Sequence, residues 1–201
     1  MTRALIIGCS GQDGAYLARL LLARGATVAG TTRIVGAAAA TARLAVVGVA
    51  EEVALHRFDA ATATPDAVAA LLDTLQPDQI YHLAGTAPSL LAPEAAAPDL
   101  APWLQAIRDH APAVRLFAAV SAATPAATIA TVQHARDAHG LFAVAGLLGA
   151  HESRLAPTAA LLRHIVQSAH AQARGGATKL RIGGLDTRCD IGWAPEYVDA
   201  M

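Results

Sequence analysis

Gly8, Gly11 and Gly14 stand three apart in the stretch Gly8-Cys9-Ser10-Gly11-Gln12-Asp13-Gly14. An apolar run, Ala4–Gly8, leads into it, and a helical pattern, Gln12–Arg24, leads out. Side-chain-free positions at that spacing, between a strand and a helix, suit the grip of a diphosphate. The first glycine permits a tight turn. The second lets the backbone come close to a pyrophosphate, and the third lets the helix pack against the strand. The helix start adds unpaired N–H groups and the positive end of a dipole. The competing reading is that these glycines only turn the chain. In the diphosphate-binding reading Gln12 and Asp13 belong to the loop that holds the ligand.

The next apolar run ends in Thr31, Thr32 and Arg33. A dinucleotide fold usually places an acid there to bond the adenosine ribose. An arginine suits a 2′-phosphate instead, so NADP is expected and NAD is less favoured; the alternative is an ordinary surface arginine. Asp59 and Ala60 follow a third run, and Asp59 could meet an adenine amino group or be a plain loop aspartate. Leu83, Ala84 and Gly85 end a fourth run, where small residues leave room beside the pyrophosphate.

The elements that must hold these residues follow from periodicity. Strands are expected at Ala4–Gly8, Thr27–Thr32, Val53–Phe58, Gln79–Gly85, Val114–Ser121, Leu141–Leu148 and Lys179–Gly183. Helices are expected at Gln12–Arg24, Pro65–Leu75, Leu100–Asp109, Ala126–Ala138 and Thr158–Ala173. Thr86–Pro98 reads as a connection. Continuous apolar strands alternating with helices argue an α/β fold, a doubly wound parallel sheet of order 3-2-1-4-5-6, in one domain.

Composition narrows the function classes. The 201 residues carry a net charge of −1, with 54% hydrophobic and 4% aromatic residues. That balance gives no footprint for nucleic acid or an anionic membrane. Two distant cysteines, Cys9 and Cys189, form neither a disulfide framework nor a metal site, so a cytoplasmic setting is expected. No apolar run reaches the roughly 20 residues a bilayer span requires. The N-terminus enters a strand at once, without a leader. His134 and His139, five apart, and His164 and His170, six apart, do not share a helical face at i,i+4 spacing. No histidine pairs with a cysteine at zinc spacing, so no metal site is expected. No G-x-S-x-G elbow supports a hydrolase.

Four stretches resemble one known family. They are Gly8–Gly25, with Gly11-Gln12-Asp13-Gly14 and Tyr16-Leu17; Leu75–Gly85; Ala138–Ser153, ending Ala150-His151-Glu152-Ser153; and Leu180–Met201, with Arg188, Asp190, Gly192, Tyr197 and Val198. Together they resemble the extended short-chain dehydrogenase/reductases, and within them the GDP-mannose 4,6-dehydratases. The resemblance implies a Rossmann-type NAD(P)-binding fold, a bound NADP and a nucleotide sugar such as GDP-mannose. It implies oxidation at the sugar C4, loss of water across C5–C6 and return of the hydride at C6. A tyrosine serves as base beside a lysine four residues on, a serine or threonine binds the C4 oxygen, and a glutamate assists elimination. The lysine is needed because tyrosine ordinarily titrates near 10. Glu152 and Arg188 then fall on the substrate side.

The chain departs from that pattern at the catalytic positions. Lys179 is its single lysine, and Gly175 stands four residues before it. Tyr16, Tyr81 and Tyr197 precede no lysine at the required spacing. Ser121 occupies the place of the catalytic hydroxyl, as a vestige, and Ala123 the place of the glutamate. The family loop that carries tyrosine and lysine is expected to be deleted between Ala123 and Ala127. The substrate-binding part is expected to be a remnant, about 150–201. The expected protein binds NADP and resembles a dehydratase with reduced or lost catalysis, and forms a homo-oligomer or pairs with a relative. Two alternatives stay open: a non-catalytic NADP-binding interaction module that pairs with a full-length relative, and a remnant that barely folds.

Overall fold

Arg3–Ile7, RALII, forms strand β1, and its last four residues are buried. A strand apolar on both faces belongs inside a parallel sheet with helices on either side. That is what the computed structural model contains; it describes residues 1–85, 99–121, 125–157, 160–176, 180–181, 186, 188 and 190–201. The expected connection Thr86–Pro98 lies outside the described residues.

Helix α1 (Gln12–Ala23) follows β1 and buries Leu17 and Leu21 on one side. It stops before Gly25, whose φ of +81° ends the helix without a side-chain penalty. Strand β2 (Thr27–Thr32) lies parallel to β1, with Ile7 opposite Thr31. Helix α2 (Ala38–Val46) comes next and buries Ala40 and Leu44. It is not expected from periodicity, because an alanine-rich run with no capping side chain shows no apolar period. Strand β3 (Ala54–Arg57) pairs β2. A 3₁₀ turn, Ala60–Thr62, is started by Asp59, whose carboxylate accepts from the Ala61 N–H at 3.1 Å.

Helix α3 (Pro65–Leu75) has proline in its first turn, and the Thr64 hydroxyl accepts from Ala67 N–H at 3.3 Å. Strand β4 (Gln79–His82), helix α4 (Ala101–His110), strand β5 (Arg115–Ser121), helix α5 (Pro125–His139) and strand β6 (Ala143–Leu148) complete the main sheet. Its order is β3-β2-β1-β4-β5-β6, all parallel, as the alternation predicts. The strand order reverses between β1 and β4, and doubly wound sheets take their ligands at the C-terminal ends of the strands at such a switch point.

Two apolar layers cover the sheet. Val68, Leu72, Trp103, Ile107 and Val132 of α3, α4 and α5 fill one. Leu17, Leu21 and Leu44 of α1 and α2 fill the other, joined by Leu155 and Val198 from the last fifty residues. Those residues add a second, two-stranded sheet that the sequence reading did not foresee. Strand β7 (Ala150–Glu152) pairs strand β8 (Ile191–Trp193) in parallel. Helix α6 (Leu161–Ala173) buries none of its residues. Helix α7 (Ala194–Asp199) packs on α1, with Arg24 Nη2 at 2.7 Å from Asp199 Oδ1. Of the strand expected at Lys179–Gly183, Leu180 and Arg181 belong to no strand and the rest lies outside the described residues. No helix among the described residues is long and apolar enough to cross a membrane.

Candidate functional site

The glycine-rich loop crosses the C-terminal ends of β1 and β4. Gly8 has φ of +89°, a left-handed conformation that favours glycine. A Cβ there would stand 3.1 Å from the Ala84 nitrogen, so the loop lies directly against the end of β4. The Gly11 N–H donates to the Gly8 carbonyl at 2.9 Å and closes the turn. A Cβ on Gly14 would fall 2.6 Å from the Gly8 oxygen and 2.7 Å from the Cys9 Cα. The first turn of α1 thus sits on the loop with no room for a side chain. Gly11, the N-cap of α1, offers no side-chain hydrogen bond. The first peptide N–H groups of α1 have no intrahelical acceptor and remain available to an anion. This cradle, which a Cβ would fill, fits a dinucleotide diphosphate.

The side chains of Gln12 and Asp13 point elsewhere. His151 Nε2 lies 2.9 Å from Asp13 Oδ2, with the two side chains only 12% and 13% exposed. Gln12 Nε2 donates to Asp13 Oδ1 at 3.2 Å and to the His151 carbonyl at 3.4 Å. The Ser153 hydroxyl donates to Gln12 Oε1 at 2.8 Å and accepts from Leu155 N–H at 3.0 Å. Any contact that residues 12 and 13 make with a phosphate therefore comes through the backbone. Arg43 of α2 fastens the same region: its Nε donates to the Leu155 carbonyl at 2.8 Å and its Nη1 to the Ser10 carbonyl at 3.1 Å. Neither His151 nor Arg43 was singled out from sequence as a partner of the loop. An arginine closing an alanine run was the single available hint.

At the adenosine end, Arg33 directly follows β2, is exposed, and makes no hydrogen bond or ion pair with a described residue. Asp59 spends one oxygen on the 3₁₀ turn, and Ala60 beside it is buried. Leu83 is buried, Ala84 half-buried and Gly85 exposed with φ of +73°, so the wall after β4 falls away toward solvent. Beneath that wall His82 is 2% exposed, its ring edge-on to Trp103 at 5.4 Å. Burial lowers its pKa to about 4, so the ring is neutral.

On the substrate side, Ser121 is the last residue of β5, paired in register with Leu148 of β6. Three residues separate it from α5. Ala123 and Lys179 lie outside the described residues. Glu152, on β7, accepts from the Leu162 N–H of α6 at 3.4 Å through Oε1. Its Oε2 is buried without a partner. Arg188 is exposed and belongs to no element. The structure thus gathers Gly8, Gly11, Gln12, Asp13, Gly14, Leu83 and Ala84 where the glycine loop and the start of α1 meet the end of β4. His134 and His139 come closer than their spacing predicts, with ring centroids 5.5 Å apart and His139 the last residue of α5. Among the described residues no three His, Cys, Asp or Glu side chains gather as they would around a metal.

A family model described as GDP-mannose 4,6 dehydratase matches residues 5–99 and 119–201. GDP-mannose 4,6 dehydratase 1 of Arabidopsis thaliana is 30% identical over 239 aligned residues, covering 98% of this chain and 65% of that protein. GDP-mannose 4,6 dehydratase 2 of Caenorhabditis elegans is 29% identical, covering 98% of this chain and 62% of its own length. The chain therefore spans a little under two thirds of the curated relatives it matches. Among solved structures, dTDP-glucose 4,6-dehydratase from Bacillus anthracis in complex with NAD superposes with a TM-score of 0.77 at 10% identity, over 100% of this chain and 70% of that one. UDP-glucose 4-epimerase from Thermus thermophilus, also with NAD, gives 0.73 at 17% identity, over 99% and 73%. At such identities the superpositions establish the Rossmann-type fold.

Proposed function

The chain belongs to the GDP-mannose 4,6 dehydratase family, and on that premise we propose that it binds NADP in preference to NAD, recognises a nucleotide sugar such as GDP-mannose, and turns it over slowly or not at all. The observation that carries the binding half is the cradle at Gly8, Gly11 and Gly14, closed against Ala84. Arg33, exposed at the end of β2 and without a hydrogen-bond or ion-pair partner among the described residues, supports the choice of NADP. A bound nicotinamide coenzyme supplies a hydride acceptor and donor; the chain's own residues hold the diphosphate through the α1 amides and the 2′-phosphate through Arg33. Asp59, Ala60, Leu83 and Gly85 line the adenosine and pyrophosphate path. Glu152 and Arg188 belong to the sugar side.

The missing half of the chemistry is proton transfer. The family's base is a tyrosine made acidic by a lysine four residues on, and no tyrosine here has that neighbour. Ser121 keeps the sequence position of the family's hydroxyl, without a Tyr-x-x-x-Lys pair anywhere in the sequence to act as base. Losing a positioned base forfeits about 10²–10⁴-fold in rate, and the elimination glutamate is replaced by Ala123 as well. An assay with GDP-mannose and NADP tests this: no product above background is expected, and turnover at ordinary enzyme rates would overturn it.

A second reading, a non-catalytic NADP-binding module in the cytoplasm that pairs with itself or with a full-length relative, draws support from exposed apolar residues. Leu147 and Trp193 are each 57% exposed. Leu147 also borders a recess of about 400 Å³ with Phe117, Tyr197 and Met201. Native mass spectrometry with and without such a relative separates it from a solitary enzyme remnant.

A further inference from the structure

Both ring nitrogens of His151 face acceptors. Nδ1 lies 2.7 Å from the Gly149 carbonyl oxygen, and Nε2 lies 2.9 Å from Asp13 Oδ2. A neutral imidazole has one N–H and can donate to one of them; the other contact would then set lone pair against lone pair. Only the imidazolium donates to both. The titratable groups around the ring are Asp13 from α1, Glu152 beside it on β7, and Tyr197 from α7, whose ring stacks at 4.5 Å. Strand β8 places uncharged Gly192 opposite. Burial disfavours the charged ring. The hydrogen bond and charge of Asp13, the Gly149 carbonyl and the charge of Glu152 outweigh it, and the pKa lies above the usual 6.5.

The consequence reaches the first turn of α1. Gln12 and Asp13 are its first two residues, and both are tied by their side chains to β7 and the residues after it. A carboxylate in that turn would repel an incoming diphosphate unless a cation stood against it. The ring at 2.9 Å supplies that cation.

We propose that His151 is a positioning residue for the coenzyme: its doubly donating ring ties β7 to the first turn of α1 through Asp13, offsets that carboxylate, and holds the diphosphate-binding amides in place. The role rests on the coenzyme reading above. Affinity should therefore fall as the ring loses its proton.

Two measurements on the full chain test it. Histidine ¹H–¹⁵N NMR, without coenzyme, follows His151 from pH 5 to 9.5. Titration calorimetry with NADP at pH 6.5 and 9 follows binding. His151 should titrate above 6.5 with both nitrogens protonated below its midpoint, and Asp13→Asn should lower that midpoint. The wild-type Kd should rise about tenfold across the range, the worth of one charge-assisted hydrogen bond. His151→Gln should bind about as weakly at pH 6.5 as wild type does at pH 9, with little further change. A His151 midpoint at or below 6.5 overturns the role, and this needs no variant to fold. NADP binding with the same pH profile in wild type and His151→Gln overturns the role while leaving the coenzyme reading intact. No heat with NADP or NAD at either pH overturns the coenzyme reading and this role together.

Discussion

A Cβ on Gly14 would stand 2.6 Å from the carbonyl oxygen of Gly8. The first turn of α1 and the turn after β1 are therefore in backbone contact, and the helix start is aimed at whatever the loop holds.

Gly14→Ala should destabilise the fold by about 3 kcal/mol, because the added methyl meets backbone on both sides and cannot be accommodated by a rotamer. Gly25→Ala is the natural comparison. Its φ is +81° but nothing lies within 4 Å of the added atom, so it should lose only about 1 kcal/mol of backbone strain. Urea unfolding of the two variants checks the order. Equal midpoints would contradict the packed loop.

Cys9, in the same loop, should be chemically silent. It is fully buried over Gly30, and burial pushes its thiol up to about 12. Thiolate is the reactive form. Iodoacetamide at pH 8 should leave the Cys9 peptide unmodified in the native protein and modify it fully in urea, as mass mapping would read. Native labelling at Cys9 within minutes would mean that the loop opens freely.

His82 should make the fold acid-sensitive. Its native pKa is about 4 against 6.5 for an ordinary imidazole. As pH falls through 6.5 the unfolded chain takes up a proton that the native chain refuses. Stability is therefore full above about pH 6.5, declines below it, and levels off near pH 4. Between pH 7 and 5 the wild type should lose about 2 kcal/mol more than His82→Leu. Urea titrations at the two pH values measure the difference, and parallel losses would contradict a neutral buried ring.

Most strands of the main sheet were readable as short apolar or β-branched runs between turn residues, although β3 and β4 each carry two polar residues, and alternation with helices then dictated their order. α2 was hidden by its composition: an alanine-rich run gives no period, and burial of Ala40 and Leu44 with the Arg43 hydrogen bonds anchors it. β7 and β8 are three residues each, too short to alternate. The glycine loop was legible as a local motif. Its latch was not, since Asp13 and His151 lie 138 residues apart and neither residue alone marks the other. The family likeness placed Glu152 on a ligand, yet one of its oxygens meets the start of α6, a contact set by packing that no motif encodes.

The central claim is that backbone amides at the start of α1 grip a dinucleotide diphosphate, with Arg33 selecting the phosphorylated coenzyme. Titration calorimetry of the folded chain with NADP and with NAD at pH 6.5 tests it most directly. NADP should bind about tenfold more tightly than NAD, one charge-assisted contact's worth, and Arg33→Ser should erase the difference. A well-folded sample that gives no heat with either coenzyme would contradict the claim.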